Sequence, residues 1–396
     1  MTRISILLRN GSTMLLLGRG IQLLNSFALS LIVLKRFGLQ MVGTFAIAFV
    51  AVTILSCLSP LGMTSHLPRV RHTHDRLCYS ALIVQAVAII PVSLLVVAFA
   101  EFEAHRSEEI KIIAAVAFGG YLSGAMNVGM TLRIMNRSFY PGFAAPLLEA
   151  VGLLAGAFVA QTPMALVGWQ LSGRTLGLLL VWAGLRFARA PFPDTLSILT
   201  RSVQYTIPDT LAMISEQSAP LLLGVMVSRP ELGMFRLCQQ FLTAADTPGW
   251  TFVQSKYPDL VGASKAHIGH LERQVGRLSL FASALCCACS CLIATFAYKL
   301  PKLDLMMLLL SASVFWRYKN SFFDQVIRAA GRIKTSNALA IAKLAFSFVL
   351  FVPLVRYFGI WGALVSLTIL SVVSGIAYGE MSRRHDPLTF HSEPAI

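Results

Sequence analysis

Arg317, Asn320, Asp324 and Arg328 stand at spacing i, i+3, i+7, i+11, which puts two cations, an amide and a carboxylate on one face of a helix. They belong to the stretch Leu303 to Ala330, which opens as hydrocarbon, Leu305-Met306-Met307-Leu308-Leu309-Leu310. It then sets Trp316-Arg317-Tyr318-Lys319-Asn320 where a bilayer midplane belongs. A charge at that depth costs about 2.5–3.5 kcal/mol on insertion scales, so it turns to a wet cavity or a partner. Two chemistries fit: ion pairs that hold a bundle interior together, or the wall of a translocation path. The second is favoured because other helices repeat the pattern. Lys319 falls on the opposite face, and the spacing gives no account of it.

The first apolar stretch repeats the arrangement with Arg19, Gln22, Ser26 and Ser30. Asp209 and Glu216 lie seven apart on one face of a later stretch, which starts at Pro208 and contains Pro220. An internal proline removes a backbone hydrogen bond and kinks a helix, so Pro220 is a candidate gate or hinge, or an ordinary transmembrane proline. Arg174 and Arg317 are close to the centres of their spans. The carboxylates within spans are Glu149, Asp209, Glu216, Asp246 and Asp324. Opposing these are Arg19, Arg174, Arg236, Arg317, Lys319 and Lys343, so interior charge is close to balanced.

The elements that must position these groups are membrane spans. Of 396 residues 56% are hydrophobic and 13% charged, and the mean hydropathy is +0.70. That composition predicts an all-α integral membrane protein. Long continuous apolar runs exclude a β-barrel, whose segments are short and alternating. Twelve spans are expected, near 13–34, 44–66, 78–100, 110–132, 140–161, 164–185, 207–228, 232–254, 278–298, 304–327, 337–357 and 359–380. The longest loops are expected at 186–206 and 255–277. With the N-terminus inside, nineteen basic residues fall on inner segments and seven on outer loops. This positive-inside bias predicts that both termini are cytoplasmic. It also accounts for most of the net charge of +15 without nucleic acid.

No G-x-x-x-x-G-K-[ST], H-E-x-x-H or nucleophile elbow occurs, and no metal-ligand cluster is legible, so neither an ATP motor nor a catalytic centre is expected. Cys286-Cys287-Ala288-Cys289-Ser290-Cys291 lies in an apolar run without a nearby histidine, which favours a small-residue helix contact over a metal or redox site. The first apolar run contains Arg19 and exceeds a signal-peptide core, so a retained span is expected.

A shift of 190 residues superposes Gly43 on Gly233, Phe45 on Phe235, Thr53 on Thr243, Ser65 on Ser255 and Pro68 on Pro258. Two six-span lobes follow, 1–190 and 207–396, joined by a cytoplasmic linker at 191–206. An even number of spans per lobe makes the repeats parallel, related by a pseudo-two-fold axis along the membrane normal. Such an architecture suits alternating access.

Three stretches carry a family resemblance. The first runs from Leu34-Lys35-Arg36-Phe37-Gly38 through Val42-Gly43-Thr44-Phe45 to Leu67-Pro68-Arg69. The second is Leu221-Leu222-Leu223-Gly224 with Glu231-Leu232-Gly233-Met234-Phe235 and Tyr257-Pro258. The third is Gly331-Arg332, then Arg356-Tyr357-Phe358-Gly359-Ile360-Trp361-Gly362-Ala363. In order and spacing the chain resembles the polysaccharide repeat-unit flippases of the multidrug/oligosaccharidyl-lipid/polysaccharide exporter superfamily. The resemblance implies that superfamily's fold and a place in the bacterial inner membrane. It also implies a job: moving an oligosaccharide on undecaprenyl pyrophosphate from the inner to the outer leaflet for O-antigen, capsule or exopolysaccharide assembly. No cofactor is expected, and coupling to H+ or Na+ is open.

A pyrophosphate head needs a cationic path, and the planar fork of arginine matches phosphate. Arg19, Arg174 and Arg317 are the candidate cationic lining. Glu149, Asp209, Glu216, Asp246 and Asp324 are candidates for ion coupling or charge balance. One chain with both lobes suggests a monomer, with association to a polysaccharide polymerase left open. The rivals are a cation-coupled multidrug exporter of the same superfamily, a lipid II flippase with fourteen spans, and a major-facilitator transporter, whose glycine-bearing loop is missing at Pro68 to Arg76. A membrane polymerase or ligase would need a large external loop that this chain lacks.

Overall fold

A computed structural model describes residues 11–67, 73–103, 107–256, 260, 263–300, 302–330 and 332–383. Among these the secondary structure is helical throughout, with no strand. The order is α1 (Gly11–Leu58), α2 (Met63–His66), α3 (His74–Glu103), α4 (Ser107–Met135), α5 (Tyr140–Val159) and α6 (Pro163–Ala183). Then come α7 (Phe192–Met226), α8 (Arg229–Ser255), α9 (Lys265–Leu292, continued by a π-helix over Ile293–Tyr298), α10 (Leu303–Ala329) and α11 (Ile333–Arg383). The segment expected as a linker at 191–206 is helical from Phe192, and the loop expected at 255–277 is helical from Lys265.

Seven helices among the described residues are long and apolar enough to cross a bilayer, and the chain is a multi-pass membrane protein. The first and last of these candidates, Leu17–Leu58 and Lys334–Arg383, have 42 and 50 residues. At about 1.5 Å per residue either is twice as long as one crossing needs. Each long helix is broken by one glycine: Gly38 at φ 84° and ψ 174°, Gly359 at φ 56° and ψ −135°. Both are positive-φ conformations that side-chain-bearing residues avoid.

The residues fall into two compact units, Met1–Gly233 and Met234–Ile396. Within the first, neighbouring contacts give the direction of each helix. Gly18 meets Gly142, Asn25 Nδ2 donates to Pro146 O at 3.1 Å and Arg36 Nη1 to Ala160 O at 2.9 Å, so 11–37 runs parallel to α5. Gly156 lies on Leu166 and Gly177 on Ala145, so α5 and α6 are antiparallel. Gly119 lies on Leu171 and Gly129 on Val181, so α4 is parallel to α6. Gly120 lies on Val52 and Gly124 on Ser56, so 39–58 is parallel to α4. The two arms of α1 are therefore antiparallel, and the chain reverses at Gly38.

The same reasoning holds in the second unit. Asn320 donates to Ser374 Oγ at 3.4 Å and Gly379 lies on Phe323, so 360–383 runs with α10. Gly362 packs on Leu354 just across the break, so the chain reverses at Gly359 as well. A span expected over 44–66 ends as helix at Leu58 instead, because Pro60 cannot donate the hydrogen bond that would carry it on.

α5 and α6 meet along a seam of small residues. A Cβ at Gly152 would stand 3.1 Å from Gly173 Cα, and one at Gly173 would stand 3.0 Å from Glu149 Cα. In lipid, where hydrophobicity does not drive helices together, such close approach supplies the packing.

Candidate functional site

The residues singled out by charge are distributed between two settings. In the first unit, Arg174 and Glu149 form an ion pair between α6 and α5, with side chains only 11% and 9% exposed. Gln170 Nε2 donates to the same Glu149 oxygen at 3.0 Å, and Arg174 Nη1 donates to the Gly119 carbonyl of α4 at 2.9 Å. Arg174 Nε is buried without a hydrogen bond. The glycine at 119 is what admits the guanidinium, since a Cβ there would stand 2.6 Å from Nη1. This arrangement neutralises both charges and clamps three helices at a junction. Arg19 stands apart from it, exposed on the first arm of α1.

In the second unit α10 holds the centre. Its buried side carries Met306, Met307, Leu310, Val314, Tyr318, Phe322 and Ile327. The polar face read from the sequence serves two neighbouring helices and α10 itself. Arg317 Nε donates to Asp246 Oδ2 of α8. Asn320 reaches Ser374 of α11. Asp324 lies 2.9 Å from Arg328 Nε one turn on and accepts from Ser336 Oγ at 2.5 Å. Lys319, unexplained by the spacing, points to α9, where Glu272 takes its ammonium at 3.0 Å. Glu272 is shared with Arg383 at 3.2 Å, and both cations lie over the Phe323 ring.

Arg317 differs from Arg174 in being open: its side chain is 33% exposed and that of Asp246 is 19% exposed. Asp246 belongs to a polar face of α8. With residue 236 at zero and 100° per residue, Arg236, Gln239, Gln240, Thr243, Asp246, Thr247 and Trp250 fall within an arc of about 120°. Leu237, Cys238, Phe241 and Leu242 occupy the other side and are buried. Thr243 and Trp250 are exposed, Arg236, Gln239, Asp246 and Thr247 are half-buried, and Gln240 is buried. Such a face does not suit hydrocarbon, and it is more open than a packed core. Arg236 and Asp246 are legible in the sequence as charges, but the face is not read there; the alternating three- and four-residue steps from 236 to 250 are the signal for it.

The polar faces also explain which helices are absent from the apolar set. α8 and α10 are long enough to cross a membrane but not apolar enough to be counted with the seven. A helix of that kind is held among other helices with its polar side on water. α7 bears Asp209 and Glu216, whose side chains lie outside the described residues, and it runs on through Pro220, which is buried. Among the described residues no group of three or more His, Cys, Asp or Glu could hold a metal ion. Cys286, Cys287 and Cys289 are free thiols along α9.

Comparison with known proteins accords with this picture. The family model described as "Polysaccharide biosynthesis protein" matches residues 38–248, more than half of the chain. No curated protein matches. Among solved structures, an inward-facing multidrug resistance transporter of the MATE family and MOP superfamily superposes with a TM-score of 0.74 at 12% identity, covering 93% of this chain and 97% of that one. The lipid II flippase MurJ in its inward closed conformation gives 0.72 at 12% identity, covering 93% and 87%. A MOP-superfamily transporter from Pyrococcus furiosus, described as having a binding pocket of reversed polarity, gives 0.61 at 13% identity, covering 97% and 98%. At these identities the likeness is one of fold. The chain belongs to the polysaccharide biosynthesis protein family and is built on the fold of the MOP-superfamily transporters.

Proposed function

We propose that the chain is a flippase that carries an oligosaccharide repeat unit on undecaprenyl pyrophosphate from the inner to the outer leaflet of a bacterial inner membrane. The observation that carries this reading is the half-open polar face of α8, which we read as the wall of an aqueous cavity, with Arg317 beside it, in a member of a polysaccharide biosynthesis family. The net charge of Arg236, Arg317 and Asp246 is +1, which suits an anionic head better than a cationic drug. Arg317, a third of its side chain exposed, is the arginine we assign to the pyrophosphate. Arg19 remains a candidate for the cationic lining, and Arg174 holds the helix junction. Asp246 balances Arg317, and Asp209, Glu216 and Asp324 remain candidates for charge balance or coupling to H+ or Na+.

Twelve crossings, two six-span lobes, cytoplasmic termini and alternating access complete the proposal. The protein acts as a monomer that can associate with a polysaccharide polymerase, and it needs no catalytic centre of its own.

The test is genetic. Deleting the gene should abolish surface polymer and cause single repeat units to accumulate on the carrier at the inner face. Normal surface polymer together with altered sensitivity to cationic drugs would instead assign the chain to the multidrug branch.

A further inference from the structure

We infer that the exposed arc of α9 around Arg273 and Arg277 is a binding surface for an anionic phospholipid of the phosphatidylglycerol kind, its phosphate on the two arginines and its acyl chains along Leu280, Phe281 and Leu285. The inference goes beyond the flippase reading and does not depend on what the protein carries.

The rotation of α9 is fixed from its inner side. Leu271 and Val275 are buried. Glu272 holds Lys319 of α10 at 3.0 Å and Arg383 of α11 at 3.2 Å. At 100° per residue these three inner positions fall within an arc of about 100°. Arg273, Arg277, Leu280, Phe281 and Leu285 fall opposite, within about 140°, and all five are exposed. One open arc thus changes from basic to apolar within a turn. The candidate span that contains it ends at Phe296. From Leu278 to that end the helix is about 28 Å long, close to the hydrocarbon thickness of about 30 Å. The length therefore leaves Arg273 and Arg277 at the level of the headgroups.

The two arginines stand one turn apart. Arg273 donates Nε to the Gly269 carbonyl at 3.3 Å, which leaves its two Nη groups. Among the described residues neither arginine forms an ion pair, since the neighbouring Glu272 is turned inward. Like charges at i, i+4 weaken a helix, and an anion that spans them removes the penalty. Phosphatidylethanolamine carries an ammonium that answers its own phosphate. Phosphatidylglycerol has no such group, so its phosphate is left for the two guanidinium forks. A phospholipid also supplies what free phosphate lacks, chains for Leu280, Phe281 and Leu285, which are 61%, 66% and 51% exposed. The arc is turned away from α10 and hence from Arg317, so it meets the surrounding bilayer rather than the carrier's path.

Native mass spectrometry of the purified full chain in detergent tests this. The protein is offered equimolar phosphatidylglycerol and phosphatidylethanolamine with the same acyl chains. The intact protein should retain the anionic lipid about tenfold over the zwitterionic one. Arg273→Gln together with Arg277→Gln should bring that ratio near one, while Arg273→Lys with Arg277→Lys, which keeps the charge, should keep most of the preference. The unsubstituted protein gives a second measurement. In phosphatidylethanolamine vesicles holding a minor share of phosphatidylglycerol with a photoreactive group beside its glycerol, cross-links should concentrate between Arg273 and Leu285. Equal retention of the two lipids, a preference that survives the double glutamine variant, or cross-links spread like those of a photoreactive phosphatidylethanolamine overturns the surface. Displacement of phosphatidylglycerol from that segment by undecaprenyl pyrophosphate also overturns it and gives the arc to the carrier.

Discussion

Two arginines near the middle of apolar segments have opposite fates. Arg174 is enclosed by Glu149, Gln170 and the Gly119 carbonyl, whereas Arg317 keeps a third of its side chain open beside Asp246. Removing one partner of an enclosed pair strands a buried charge, at about 3–5 kcal/mol. Arg174→Ala should therefore lower the melting temperature and yield of the purified protein, with Glu149→Ala acting similarly. For Arg317→Ala the exposed setting reduces the loss to about 1 kcal/mol, and the protein should melt nearly as the wild type does while failing to restore surface polymer in a deletion strain. A large melting-point drop for Arg317→Ala with polymer restored would reverse the two roles. The charges themselves were legible in the sequence, because a charge in hydrocarbon announces itself. Their partners were not: four residues on one face of α10 are divided between α8, α11 and α10 itself, and the acid that meets Lys319 lay in a stretch read as a loop. Partner choice follows from how helices pack, which residue spacing within one helix does not contain.

At the level of elements, glycine does two distinct things. Gly38 and Gly359 allow the chain to reverse between antiparallel arms, and a side chain there forces a conformation costing about 1–3 kcal/mol. Gly359→Ala should reduce the amount of folded protein recovered from membranes, while Gly20→Ala should not, since nothing lies within 4 Å of a Cβ at that position. Gly152 and Gly173 act by size, and Gly152→Val would press the α5 backbone off α6 at the level of the Arg174 junction. Helix existence was legible from apolar length alone. Helix extent was less so: amphipathic turns such as 265–277, with Lys265, His267, His270, Arg273 and Arg277 exposed, resemble a loop in composition though they are helix. The polar face of α8 was missed for the same reason, its polar residues being averaged with apolar ones over the span.

For the molecule as a whole, the claim at stake is that water reaches α8 within the membrane. Single cysteines in a background lacking the seven native ones provide the measurement. Thr243→Cys, and Thr247→Cys one turn on, should react with a charged, membrane-impermeant thiol reagent. Val349→Cys and Phe281→Cys, at positions that are 72% and 66% exposed on apolar helices, should resist it because their exposure is to lipid. Equal reactivity at all four positions would mean that α8 lines no cavity of its own. The family model and the solved transporters agree with the fold that composition foretells, because a chain this apolar has few other ways to satisfy its backbone.

The reversals at Gly38 and Gly359 share a short spelling. One reads Lys35-Arg36-Phe37-Gly38 and the other Arg356-Tyr357-Phe358-Gly359. Tyr357 and Phe358 are 79% and 64% exposed, and a cation followed by an aromatic ring is what settles at the headgroup layer. Each turn is then a float moored at the membrane surface, with no loop standing above it. At those two places a protease, an antibody or a phage arriving from the water would find almost no chain to hold.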